Sequence, residues 1–161
     1  MNDVVIGKGK LAGKGVYANR DFKKNEIVMS YHLKELTPEE FNNLPISEHM
    51  FTHSFWGKIY LYPEPSRYVN HSPNPNTTQD LKKMYDYATR DIKKGEMITT
   101  NATNEIENEL TTFLEAYETN PIKNLELLKK GYRNAIIKYE CNNHTKTLTL
   151  KRIDGNWRII E

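Results

Sequence analysis

Asn70 and His71 are the residues of this chain best placed to do chemistry. They lie in Arg67-Tyr68-Val69-Asn70-His71-Ser72-Pro73-Asn74-Pro75-Asn76, where an apolar pair runs into short polar side chains and then into a stiff turn. Asn and His together offer donors and acceptors on short arms. The prolines flanking Asn74 fix the backbone that carries them. Such a segment can hold a small polar ligand. A plainer reading fits as well, because Pro-Asn-Pro-Asn is ordinary turn chemistry and Asx side chains often bond only local backbone. Asn70-His71-Ser72 is also a glycosylation triplet, but the start Met1–Lys8 lacks an apolar secretory run, so glycosylation is not expected.

The elements that position these groups must be short. A length of 161 residues suits one domain, or one small domain plus an appendage. Hydrophobic residues make up 37%, with 10 Tyr, 5 Phe and 2 Trp, enough for a modest aromatic-rich core. No apolar run is long enough to span a membrane. A net charge of +2 without a dense basic stripe predicts neither nucleic acid nor membrane as a direct partner. The single cysteine, Cys141, excludes an intrachain disulfide and a cysteine-cluster zinc site; no metal is expected, and a reducing cytoplasm is the expected compartment.

Ile27–Tyr31 and Lys58–Tyr62 are β-prone. Thr37-Pro38-Glu39-Glu40 reads as an N-cap with Pro at the first helical position, predicting a short helix near residues 38–44, inserted between strands. Tyr17–Val28 is echoed by Tyr87–Ile98, 70 positions on. Each copy reads as strand, basic turn and strand, which predicts two related hairpins with solvated lysines at their tips. From Asn108, Leu110, Phe113, Leu114 and Tyr117 are spaced for one helical face. Pro121 opens a second predicted helix bearing Ile122, Leu125 and Leu128, with Gly131 as its C-cap. Strand-like runs follow at 135–140, 145–150 and 157–160, joined by turns at Asn142-Asn143 and Asp154-Gly155.

Gly13-Lys14-Gly15-Val16-Tyr17-Ala18, the Arg67–Asn76 segment and Ala88–Thr99 occur in the order and at the spacing of three motifs. Together they make residues 5–103 resemble the SET-domain protein-lysine methyltransferases. The resemblance implies a β-rich α+β SET fold, with short strands in small sheets and a closing segment threaded beneath a loop as a pseudoknot. It implies S-adenosyl-L-methionine as cofactor, held along the backbone of Lys14, Gly15 and Val16 and by Asn70 and His71, with Arg67 and Tyr68 bracing that wall. It also implies a protein lysine as substrate, entering an aromatic channel for which Tyr31, Tyr60 and Tyr62 are the candidate catalytic tyrosines. A lysine with a pKa near 10.4 is neutral in only about 1 part in 2,500 at pH 7, a deficit of roughly 4.6 kcal/mol. A desolvated channel beside a cationic cofactor lowers that pKa.

The sequence departs from the family where the chemistry is completed. Counting on from Gly95-Glu96-Met97-Ile98-Thr99, the family's catalytic tyrosine position is Ala102. Either Thr100, Thr103 or a channel tyrosine supplies the hydroxyl, or the chain is a weak or inactive SET-like module that binds cofactor or a protein tail. Asn25 stands where the family has a turn glycine. The zinc-binding cysteine segments are absent, so the helix near Asn108 must cover the adenine, with Phe113 as the candidate lid. The expected division is a SET domain over 1–106 and an α+β appendage over 107–161. The appendage is faintly similar to a shortened domain of the nuclear transport factor superfamily, and its sheet edge invites homodimerisation.

Overall fold

The computed structural model describes residues 2–131 and 133–160. In chain order the elements are β1 (Val4–Leu11), β2 (Lys14–Ala18), β3 (Ile27–Ser30), β4 (Lys34–Leu36), α1 (Pro38–Asn43), α2 (Ile46–His49), β5 (Thr52–Phe55), β6 (Lys58–Leu61), β7 (Asn70–His71) and β8 (Thr77–Asp80). There follow β9 (Tyr85–Ala88), β10 (Met97–Thr100), α3 (Ala102–Tyr117), β11 (Ile122–Lys130), β12 (Asn134–Cys141), β13 (His144–Ile153) and β14 (Asn156–Ile159). Two compact units form: Met1–Lys34 with Tyr62–Thr103, and Glu35–Leu61 with Asn104–Glu161. The strand-rich architecture of small sheets is that of the expected fold class.

In the first unit, one sheet has the order β1-β2-β10-β7 and another the order β3-β9-β8. The β10–β7 pairing is parallel, with Thr99 opposite Asn70. Val16, Phe22, Ala88, Ile92 and Ile98 are among its fully buried side chains or nearly so. The echoed segments are not two hairpins. Their flanking strands belong to different sheets, and the copies grip each other instead. Phe22 and Ile92 form a β-bridge. Asp21 accepts from the Lys94 N–H at 2.8 Å, and Asp91 accepts from the Lys24 N–H at 2.9 Å. Within the turns Arg20 pairs with Glu26 and Arg90 with Glu96. These four carboxyls are held below their usual range, first by the backbone N–H each accepts. The tip lysines are exposed, as expected. Asn25 at φ 72° matches Gly95 at φ 91°: the asparagine takes the left-handed conformation that the glycine takes in the second copy.

In the second unit, β4-β6-β5 and β11-β12-β13-β14 form separate sheets. Thr37 makes a full capping box with Glu40 at the start of α1. Leu110 and Leu114 of α3 are buried in one cluster with Ile137, Tyr139, Leu150 and Trp157. The predicted helix after Pro121 is a strand. Leu125 and Leu127, two apart, pack on this cluster, and β11 covers the flank of β12 with two register shifts. Gly131 is not a helix cap: its N–H donates to the Asn134 carbonyl at 2.7 Å, at the turn into β12. The tertiary demand for an edge strand overrides the local helix-start signal. No helix among the described residues is long and apolar enough to cross a membrane.

Candidate functional site

Asn70 is the centre of a polar framework in the first unit. Its carboxamide is buried; Oδ1 accepts from the Lys10 N–H at 2.7 Å, and Nδ2 donates to the carbonyls of Lys14 at 2.9 Å and Tyr68 at 2.8 Å. One side chain thus fastens the β1–β2 hairpin to β7. The Lys14 ammonium stands 4.7 Å from the Tyr68 ring centroid. The Tyr68 hydroxyl donates to Glu64 at 2.8 Å, and Arg67 Nε donates to the Tyr62 carbonyl at 2.8 Å. A Cβ added at Gly15 would lie 3.2 Å from the Lys8 carbonyl oxygen and 3.3 Å from Met97 Cε, so strand packing alone favours glycine there. Val16 is fully buried. His71 is exposed, and its Nδ1 accepts from the Ala102 N–H at 3.0 Å.

Ala102 opens α3. Asn101 Oδ1 accepts from the Thr103 N–H at 3.0 Å, an N-cap contact that starts the helix here rather than near Asn108. The position therefore has a methyl group and no hydroxyl. Thr100 pairs with His71 across β10 and β7.

Tyr31 and Tyr62 come together. Their ring centroids are 5.6 Å apart. Gln79 Nε2 donates to the Tyr31 hydroxyl at 2.5 Å and to the Tyr62 hydroxyl at 2.6 Å. The Tyr31 hydroxyl in turn donates to Asp86 Oδ1 at 3.1 Å. Gln79 and Asp86 face each other across β8 and β9. Gln79 Oε1 is buried and has no hydrogen-bond partner among the described residues. Burial pushes the Tyr31 phenol far above its usual range, with the charge of Asp86 adding to the rise, so the hydroxyl keeps its proton at neutral pH. A cavity of about 260 Å³ opens beside Tyr31, lined also by His32, Pro63 and Glu64.

Tyr60 belongs to the second unit, where its ring lies 6.2 Å from that of Phe55. Phe113 is also in that unit; it packs on the buried cluster and stacks on Tyr117 at 6.0 Å. Of the residues singled out in the sequence, Tyr31, Tyr62, Lys14, Gly15, Val16, Arg67, Tyr68, Asn70 and His71 are all in the first unit.

Asn76, which the sequence presents as turn chemistry, and Gln79 and Asp86, which it does not single out, are three further polar residues of this unit. Asn76 is buried: its Nδ2 donates to the Met97 carbonyl at 2.8 Å and its Oδ1 accepts from the Thr99 N–H at 2.9 Å, clamping β10. Gln79 and Asp86 make the tyrosine cluster. The one signal for Asp86 is Tyr85-Asp86-Tyr87, a carboxylate between two tyrosines on a strand. Period-two reading buries the tyrosines, whereas the structure buries Asp86.

The SET-domain family model matches residues 13–101. No curated protein matches the chain. A candidate histone methyltransferase from Plasmodium falciparum is 25% identical, with a TM-score of 0.48, over 62% of this chain and 91% of that one. The methyltransferase domain of human histone-lysine N-methyltransferase SETMAR is 17% identical, with a TM-score of 0.50, over 66% of this chain and 46% of that one. A chain of an active polycomb repressive complex 2 is 24% identical, with a TM-score of 0.46, over 61% of this chain and 15% of that one. The likeness to the human domain is one of fold alone. The family match covers more than half of the 161 residues and contains Asn70 and the Tyr31–Tyr62 cluster, and on that ground the chain belongs to the SET-domain family.

Proposed function

We propose that this protein transfers a methyl group from S-adenosylmethionine to a lysine side chain of a protein, with Tyr31 and Tyr62 receiving the amine in place of a tyrosine at position 102. The carrying observation is Gln79 Oε1, a buried acceptor without a partner among the described residues, beside two tyrosine hydroxyls and the carboxylate of Asp86. An amine is the donor such a group lacks.

The residues present fit the cofactor. Lys14 offers a cation for its carboxylate, and the exposed edge at His71 offers a surface for the adenine. Asn70 spends its carboxamide on backbone and acts as a positioning residue. When bound, S-adenosylmethionine supplies an electrophilic methyl on a sulfonium. The chain's own work is to desolvate the incoming amine, favour its neutral form and aim its lone pair. The protonated Tyr31 hydroxyl is an orienting group rather than a base, and Asp86 fixes its direction.

A second reading, a SET module that binds without catalysing, is favoured by Ala102, where helix α3 begins without a hydroxyl. Calorimetric titration with S-adenosylmethionine and a methyl-transfer assay on lysate separate the readings. Cofactor binding with transfer supports catalysis, and Tyr31→Phe should then lower the rate about a hundredfold. Binding without transfer selects the second reading; absence of binding sinks both cofactor-based readings. If the missing hydroxyl limits the rate, Ala102→Tyr raises it.

A further inference from the structure

The second unit contains a cavity of about 540 Å³ that shares no residue with the tyrosine cluster or the Asn70 framework. Its floor is the Phe41 ring, stacked on His49 at 4.3 Å. His49 Nε2 lies 3.1 Å from the Phe41 carbonyl oxygen. Gly155, at φ 83°, closes against the same ring; a Cβ there would stand 3.1 Å from Phe41 Cδ2 and 3.0 Å from Ile59 Cδ1. The walls are therefore fixed by packing rather than by chance. At the mouth, Ile46 is 87% exposed and Met50 45% exposed.

Arg133, Lys151 and Arg152 line the cavity, and Asp154 is the acidic residue among the lining groups. The Arg152 guanidinium is held by the buried Glu109 carboxylate and lies 5.1 Å from the Trp157 ring centroid. The Arg152 N–H donates to the Arg133 carbonyl at 2.7 Å, which sets Arg133 beside it. Among the described residues, Arg133 and Lys151 enter no ion pair, and both are exposed. The cavity thus presents an apolar floor, two exposed apolar side chains and an excess of positive charge.

We propose that this cavity docks a partner protein through an acidic segment carrying a bulky apolar anchor. Charge complementarity selects the acidic flanks, and the Phe41 floor selects the anchor. A small ligand confined to the cavity would leave Ile46 wet, whereas a segment crossing the mouth covers it. A bilayer surface is too broad to enter a concave site.

The test is fluorescence polarisation of the full chain with a fluorescein-labelled Glu-Glu-Leu-Phe-Glu-Glu peptide. Saturable micromolar binding is expected. It should weaken at least about tenfold in an R133E/K151E variant and be lost when the two apolar residues of the peptide become serine. R133A/K151A, with the same thermal unfolding as the parent, provides an intermediate step that charge reversal alone does not. Absence of saturable binding overturns the proposal, as does binding indifferent to R133E/K151E. Phosphatidylserine vesicles that displace the bound peptide from the wild type, but not from an Ile46→Ser variant, would assign the surface to lipid and equally overturn it.

Discussion

In the first unit two buried carboxamides and a half-buried one join elements together. Asn70 bonds three backbone groups, Asn76 clamps β10, and Gln79 bridges two tyrosines. In the second unit the polar centre is ionised: Glu109, 1% exposed, takes hydrogen bonds from Arg152, from Trp157 Nε1 at 2.9 Å and from the Ser54 N–H at 3.3 Å, with His53 Nδ1 2.8 Å away. Carboxamides bind backbone at any pH without a charge to neutralise. A buried carboxylate holds more partners but must keep all of them, because each orphaned group then bears its full desolvation cost. The buried strand joints at Asn70 and Asn76 are thus pH-indifferent, whereas the buried centre of the second unit is charged.

The contrast is broken most directly at Glu109. Glu109→Leu should cost about 3–5 kcal/mol in urea denaturation, because Arg152 and His53 lose their buried counter-charge. Trp56 and Trp157 both lie in the second unit, so tryptophan emission follows it. A loss below about 1 kcal/mol would erase the distinction between the two units. Asn76→Ala should cost less, about 2–3 kcal/mol, through the unbonded Met97 carbonyl and Thr99 N–H. Faster hydrogen exchange at Thr99 is its readout, with tryptophan emission little changed.

The pH dependence sharpens the comparison. Burial pulls His53 down, but its hydrogen bond and charge pairing with Glu109 outweigh this and hold its folded pKa above 6.5. The stability it contributes is present below pH 6.5 and is lost as pH rises through the higher folded value. Asp21, Asp91, Glu26 and Glu96 behave in the opposite sense. Their folded pKa values lie below 3.8 for the aspartates and 4.5 for the glutamates, so their contribution is present above those values and fades as pH falls through the depressed ones. Tryptophan emission should therefore report a loss of stability on the alkaline side, and exchange of the Lys24 and Lys94 amides a loss on the acid side. Asn25→Gly is the smallest change, stabilising by about 0.5 kcal/mol at a left-handed position; differential scanning calorimetry is sensitive enough to register it.

Local chemistry made much of this fold readable in advance. Thr37-Pro38-Glu39-Glu40 announced its N-cap and short helix. Asn142-Asn143 and Asp154-Gly155 announced turns, and all four have positive φ. The Arg67–Asn76 segment announced the family. Pro121 misled because a proline before an apolar run marks a helix start only when no neighbouring strand needs a partner. Glu109 and Asp86 were illegible because burial of a carboxylate depends on partners distant in the chain, and residue type alone argues for exposure. The tyrosine cluster was half legible: Tyr31 and Tyr62 were candidates, but Gln79, which joins them, has no signature in its neighbourhood.

The interlocked turns also carry a kinetic consequence. Asp21 and Lys24 bond across to the second copy, at Lys94 and Asp91. On a growing chain these cross-copy contacts therefore wait until the second copy has left the ribosome, and forming them closes the whole intervening separation. Non-local closure of this kind slows folding. The first unit should consequently mature late in synthesis, with its candidate active site assembled in a single final step rather than built up strand by strand.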